Sequence, residues 1–267
     1  MSFWDTLDPK YRLILCDVWG VIHDGVQLYA GAVARLRQWR SEGRTVILIT
    51  NAPRPVAEVE RQLLYLGLPR DAWDEIATSG EAGIAALNAL GTAVGFIGTV
   101  ADRAVLERGG VRIADDDDFA ELACVGLEEA RPEVREYRAD LERWAERGVH
   151  MHCLNPDRIV VYDGVAEPCA GALADVYEAL GGRVTWYGKP YPAIYRHALR
   201  LAGDLPVESV LAIGDAIQTD ALGAARMGFA FVFVAGGIHA GEGPPVGVAA
   251  NEGLGDWHPL AVVDGLE

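Results

Sequence analysis

Apolar positions along this chain alternate between two periods. Short β-branched runs are followed by stretches whose apolar residues recur every three or four positions. Arg12–Asp17 (RLILCD) is apolar and ends in a carboxylate, as a buried strand would. Ala30–Glu42 carries Val33, Leu36 and Trp39 at helical spacing, with Gly43 as a plausible C-cap. Thr45–Thr50 (TVILIT) reads as a second buried strand, broken by the Pro-rich NAPRP that follows. Val56–Tyr65 is helical, with Val59, Leu63 and Leu64 on one face, and Ser209–Gly214 and Phe229–Val234 are two further strands around a helical stretch. Such β-α-β alternation predicts an α/β fold with a parallel sheet covered on both faces.

The middle of the chain has its own pattern. A helical patch at Glu81–Leu90 precedes a short strand at Val94–Ile97, an acidic run at Asp115–Asp118 and a strand at Leu122–Val125. A long charged helix, Pro132–Glu146, and a strand-like stretch, His150–Val161, follow. Because the Ser209 and Phe229 strands resume the first pattern, residues 80–183 read as a second α/β unit inserted into the first. The expected division is 1–79 and 184–267 for the core, with 80–183 as the insertion.

Composition agrees with a globular chain of one to two domains: 267 residues, 51% hydrophobic and 23% charged. The net charge of −16 disfavours nucleic acid and anionic membrane surfaces as partners. An active site for small anions would then need a locally positive group or a bound cation. Cys16, Cys124, Cys153 and Cys169 have no C-x-x-C spacing and read as buried free thiols of a reducing compartment. The N-terminus lacks a basic stretch followed by an apolar segment, and the longest apolar stretch, Gly228–Gly237, is too short to span a bilayer. The expectation is a cytoplasmic protein.

Ligands of open α/β sheets bind beyond the carboxyl ends of the strands, so polar residues there are the candidates for chemistry. The first strand ends in Asp17 and the second in Thr50-Asn51; Lys189 follows the extended piece Val184–Tyr187; the Ser209 strand runs into GDAIQTD, with Asp215 and Asp220. A carboxylate such as Asp17 can attack phosphorus and split one hard displacement into two easier ones. Two carboxylates crowd a phosphate only if a hard cation neutralises them, which Asp17 with Asp215 would do around Mg²⁺. Thr50 can donate a hydrogen bond, and Lys189 a charge, to phosphoryl oxygens. Each alone is weak, since strand-end aspartates are often turn residues and a lysine before proline is usually at the surface; the set of four in this order is what carries weight.

DVWGV, ITNA, GKPYP and GDAIQTD resemble, in that order, the four motifs of the haloacid dehalogenase superfamily. More narrowly they resemble its class IIA, the branch of sugar-phosphate, p-nitrophenyl phosphate and pyridoxal phosphate phosphatases, whose cap signatures CLNPD (Cys153–Asp157) and PCAGAL (Pro168–Leu173) are similar. The resemblance runs from about Leu13 to Gly237. It implies a Rossmann-like doubly wound parallel core with an inserted α/β type-2 cap, and a Mg²⁺-dependent phosphatase of small cytosolic phosphomonoesters. It further implies Asp17 as nucleophile and metal ligand, Thr50 and Asn51 as substrate-binding, and Lys189 as the catalytic cation. Asp215 and the backbone carbonyl of Trp19 would complete the metal site, with Asp220 orienting it from behind. Oligomeric state stays open, a homodimer being the assembly common in that branch.

Two positions depart from the resemblance. Trp19 stands where those phosphatases carry an aspartate as general acid, and Ala52 stands where related sequences often have another asparagine. The first keeps two alternatives open: a dehalogenase-like hydrolase that needs no general acid, and a phosphate-ligand binding protein that has lost turnover. His23 and Asp24 could supply the missing proton, although a polar loop is the plainer reading. Asp115–Asp118 reads as a solvated turn rather than a Ca²⁺ loop, and His150 and His152 as one polar strand face rather than zinc ligands.

Overall fold

A computed structural model of the chain describes residues 2–162, 165–238, 247, 250 and 252–267. In chain order come β1 (Leu13–Asp17), α1 (Ala32–Ser41), β2 (Thr45–Thr50), α2 (Val56–Tyr65) and β3 (Glu75–Thr78). Next are α3 (Ser79–Leu90), β4 (Gly95–Ile97), α4 (Val100–Arg108), β5 (Glu121–Cys124), α5 (Arg138–Glu146) and β6 (His150–Cys153). The hairpin β7 (Ile159–Tyr162) and β8 (Val165–Pro168) precedes α6 (Ala170–Ala179) and β9 (Arg183–Trp186). Then follow α7 (Pro192–Leu201), β10 (Val210–Gly214), α8 (Leu222–Met227), β11 (Ala230–Val234) and β12 (Ala261–Val263).

The chain divides into two compact units, one of residues 1–50, 56–77 and 189–267, the other of residues 51–55 and 78–188. The first holds a six-stranded sheet in the order β12-β11-β10-β1-β2-β3. β1 pairs in parallel with β2 on one side and β10 on the other, so the chain changes direction across the sheet at β1. That is the place where an open α/β sheet leaves a crevice beyond its strand ends. Strand β1 is buried along its whole length, as a central parallel strand covered on both faces must be. Leu13, Leu15, Ile47 and Ile49 pack with Ile194 and Tyr195 of α7 and with Phe229, Phe231 and Phe233. Trp39 of α1 is fully buried and meets Trp4 edge-on, and the Trp4 indole donates to the Gly265 carbonyl.

The second unit holds a four-stranded sheet in the order β4-β5-β6-β9, parallel throughout. One of its faces is lined by Leu122, Cys124, Met151 and Cys153, all fully buried. Alternation sends Glu121, His150 and His152 to the other face.

The α/β reading holds, and several finer expectations need correction. The stretch His150–Val161 is two strands, because Pro156 in the intervening CLNPD has no N–H to offer a ladder. The helix expected over 132–146 begins only at Arg138, after a separate 3₁₀ turn at Val134–Tyr137 that Glu133 and Glu136 cap reciprocally. Residues 184–188 group with the second unit, since β9 pairs with β6 in the register His152↔Thr185. Asp117 in the acidic run accepts from the Trp144 indole and pairs with Arg143 and Arg147, tying the turn to α5. All four cysteines are buried and unpaired. Among the described residues, no helix is long and apolar enough to cross a membrane.

Candidate active site

Asp17 is the last residue of β1, and Asp215 follows the last residue of the neighbouring β10. Asp220 lies one short wide turn further on, at Ile217–Ala221, and Lys189 in the turn that leads into α7. The fold brings these four side chains together. The Lys189 ammonium donates a short hydrogen bond to Asp17 Oδ1 and a second, of 2.8 Å, to Asp220 Oδ1. Oxygens of Asp17, Asp215 and Asp220 all lie within 4.8 Å of one another. None of the four residues is more than 5% exposed.

Local backbone features make this crowding feasible. Gly20 has φ +90°, and a Cβ there would sit 2.1 Å from Asp215 Oδ2, so only glycine lets the loop after β1 close on that carboxylate. Asp220 Oδ2 accepts the backbone N–H of Ala216 at 3.2 Å, which ties the Asp215 loop to the turn that carries Asp220. Sequence reasoning overlooked Gly20, although a glycine three residues after a strand-end aspartate is the signal of such a close approach.

The electrostatics follow from burial. Loss of water pushes the Asp17 carboxyl well above the ordinary carboxylate range; Asp220 and Asp215 push it further, and Lys189 pulls it back. Burial also opposes the Lys189 ammonium, yet Asp17 and Asp220 outweigh it and hold the lysine protonated. Three carboxylates and one ammonium leave two formal negative charges in a buried place. An all-oxygen donor set with that charge fits a hard divalent cation.

The other predicted residues are Thr50, Asn51 and Trp19. Thr50 ends β2, one position beyond Ile49, the register partner of Asp17. The Asn51 amide donates to Asp157 Oδ1 at 3.0 Å within the second unit. Trp19 is 46% exposed; its ring stands edge-on to His23 and lies over Gly25, where a Cβ would collide with it at 2.5 Å. Neither candidate for the missing proton is well placed to give one. His23 is buried, which lowers its pKa, and its Nδ1 accepts the Gly25 N–H at 2.9 Å. Asp24 Oδ1 accepts from the Val26 and Gln27 N–H groups, and backbone hydrogen bonds of this kind lower its pKa and keep it ionised. The polar-loop reading of this segment stands.

The haloacid dehalogenase-like hydrolase family matches residues 14–112, and a second HAD-hydrolase-like family matches residues 186–251. A crystal structure of a haloacid dehalogenase-like family hydrolase from Brucella suis 1330 is 34% identical, covers 98% of both chains and superposes with a TM-score of 0.80. The chain belongs to the haloacid dehalogenase-like hydrolases. Within the family its fold is that of class IIA. The ribonucleotide monophosphatase NagD of Escherichia coli O157:H7 is 29% identical over 235 residues, 84% of this chain and 88% of the relative. The p-nitrophenyl phosphatase from Archaeoglobus fulgidus shares the fold with a TM-score of 0.76 at 24% identity, covering 96% of this chain and 97% of its own. A hydrolase of this family thus carries, at the end of its central strand, a buried aspartate held by a lysine and flanked by two more carboxylates.

Proposed function

We propose that this hydrolase is a Mg²⁺-dependent phosphatase of small phosphomonoesters that works through an aspartyl-phosphate on Asp17. The observation that carries the reading is the cluster of Asp17, Lys189, Asp215 and Asp220 at the rim of the parallel sheet. The monophosphatase named among the relatives supports the substrate class. Asp17, Asp215 and the Trp19 carbonyl would hold the cation, which when bound neutralises charge on the carboxylates and the phosphoryl group.

Asp17 attacks phosphorus with one carboxylate oxygen while the ester oxygen leaves with its electron pair; water then cleaves the aspartyl-phosphate, releasing inorganic phosphate and restoring the carboxylate. Lys189, held protonated by its two aspartates, balances charge on the phosphoryl oxygens, and Thr50 donates to them. Asp220 fixes Lys189 and the Asp215 loop together. The inserted unit would set the choice among substrates.

The Trp19 indole N–H is far too weak an acid to serve a leaving alkoxide as a general acid. Leaving groups that depart unprotonated are therefore the best substrates, and p-nitrophenyl phosphate and acyl phosphates should outpace sugar phosphates. The same tryptophan favours a second reading, a dehalogenase-like hydrolase, although the three-carboxylate cluster suits a cation that halide release does not require. A panel of phosphomonoesters, acyl phosphates and 2-haloacids, with and without Mg²⁺, decides between them. Phosphate release that needs Mg²⁺ is the expected result. Halide release without phosphatase turnover would establish the second reading, and no turnover of any compound would leave a ligand-binding protein.

A further inference from the structure

The polar face of the second sheet gathers a different donor set. Glu121 of β5 and His150 of β6 are register partners, and His152 lies two positions on, facing the same way. Directly across from His152 is Ala123, whose small side chain leaves Glu121 room to reach it diagonally. Glu121 Oε2 lies 2.7 Å from His152 Nε2 and 3.3 Å from His150 Nδ1. The two imidazole rings are 4.6 Å apart, and one atom from each of the three residues falls within 4.8 Å of the others.

The ring nitrogens pointing away from this focus are also engaged. His150 Nε2 is 2.9 Å from Thr185 Oγ1, and His152 Nδ1 is 2.8 Å from the Tyr187 hydroxyl, both partners coming from β9 or its end. Imidazoles that ligate a metal nearly always have their second nitrogen braced in this manner, which fixes ring orientation and tautomer. We propose that Glu121, His150 and His152 form a zinc-type transition-metal site with an open fourth position, braced by Thr185 and Tyr187. Two imidazoles and a carboxylate favour Zn²⁺ over Mg²⁺, the reverse of the all-carboxylate cluster in the first unit. Ligand atoms around zinc stand roughly 3.3 Å apart, given bonds of about 2.0–2.2 Å, so small side-chain adjustments suffice.

Entry of the ion requires no change in proton number. In the metal-bound form His152 carries its proton on Nδ1, donated to the Tyr187 hydroxyl, and His150 carries its proton on Nε2, donated to Thr185 Oγ1, so both nitrogens facing Glu121 are free to ligate. An approach is available as well: the side chains of Glu121 and His150 are 24% and 23% exposed, whereas that of His152 is only 4%.

The test titrates the full chain with Zn²⁺ and with Co²⁺ in the presence of excess Mg²⁺, which occupies carboxylate-only sites. Binding of a single equivalent is expected, and Co²⁺ should give the intense visible bands of four-coordinate geometry that an all-oxygen octahedral site lacks. His150→Ala should abolish both signals, and Glu121→Gln should weaken them. Thr185→Val, which leaves every ligand in place, should cost about 10–100-fold in affinity without changing the fold. It also keeps the test decisive if His150→Ala fails to fold. A wild-type chain that takes up no more Zn²⁺ than His150→Ala, or Co²⁺ bands indifferent to both His150→Ala and Thr185→Val, would overturn the site and leave a Glu-His hydrogen-bond network.

Discussion

The two units each focus three side chains that could ligate a metal on one point, and they do so by opposite means. In the first, Asp17 and Asp215 reach the focus from the ends of neighbouring parallel strands and Asp220 from the turn beyond, and every donor is a carboxylate oxygen. In the second, the donors lie across the face of a sheet, and two of three are imidazoles. The first cluster is electrostatically unsatisfied by its own residues: burial and two neighbouring carboxylates oppose ionisation of Asp17, and one lysine is shared between Asp17 and Asp220. The second is satisfied by hydrogen bonds alone, from the Tyr187 hydroxyl at one end to the Thr185 hydroxyl at the other. A strand end delivers charge to a place where a substrate's charge can complete the balance, whereas a strand face builds a site that is stable with or without its guest.

Asp17→Asn breaks this comparison most sharply. The amide is nearly the same shape but cannot attack phosphorus, and removing a covalent nucleophile costs hydrolases on the order of 10⁴-fold or more. Steady-state phosphate release should fall to background, while the Co²⁺ bands assigned to the second unit stay unchanged. The same variant removes one of three crowded carboxylates, so the cation-free protein should melt no lower than the wild type. Retained turnover in a folded Asp17→Asn protein would rule out the covalent route.

The difference between the clusters also explains what the sequence could and could not disclose. Asp17, Thr50 and Asp215 each follow an apolar β-branched run, so position relative to a strand end is a local signal, and parallel pairing carries it to one rim. Lys189 has no such run of its own in the first sheet, and its motif GKPYP was needed to single it out. Glu121 has no signal at all: it stands 31 positions from His152, and only the β5–β6 register joins them. His150 and His152 were visible as one strand face, but without Glu121, Thr185 and Tyr187 that face has no chemistry. The fold was legible where burial is two-sided. The short β12 and the β3 strand, with less apolar contrast to their surroundings, were not anticipated.

A smaller effect is expected at Trp19, which sharpens the comparison by asking what the first cluster lacks. If turnover is limited by protonation of the leaving group, the rate should depend steeply on leaving-group pKa. Trp19→Asp places a carboxyl two residues after the nucleophile and should raise sugar-phosphate hydrolysis by up to roughly 10²-fold, within the range of general acid catalysis. The gain for p-nitrophenyl phosphate should be slight, since nitrophenolate leaves without a proton. The side chain is nearly half exposed and rests on its own loop, so its removal costs little packing. Equal gains for both substrates would show that Trp19 obstructs the site rather than replaces an acid.

The smallest expected effect lies in a third histidine. His23 is buried like His152; its Nδ1 accepts the N–H of Gly25, and the nearby Asp24 carboxylate offsets only part of the effect of burial. Burial lowers its pKa below the ordinary 6.5, so the unfolded chain takes up a proton at a pH where the folded chain does not. Its contribution is therefore intact above about 6.5 and is lost as pH falls toward the folded value, at no more than ~1.4 kcal/mol per pH unit. His150, also held low by burial and by His152, adds a slope of the same sign. His23→Asn keeps an acceptor for the Gly25 N–H and removes the titration, so its melting temperature should decline less between pH 7 and about 5 than that of the wild type. Added Zn²⁺ should steepen the decline, because a liganded His150 cannot take up in the folded state the proton that the unfolded chain binds. Parallel declines for wild type and variant would mean that His23 gains its proton in the folded state as readily as in the unfolded chain, and that its burial carries no electrostatic consequence.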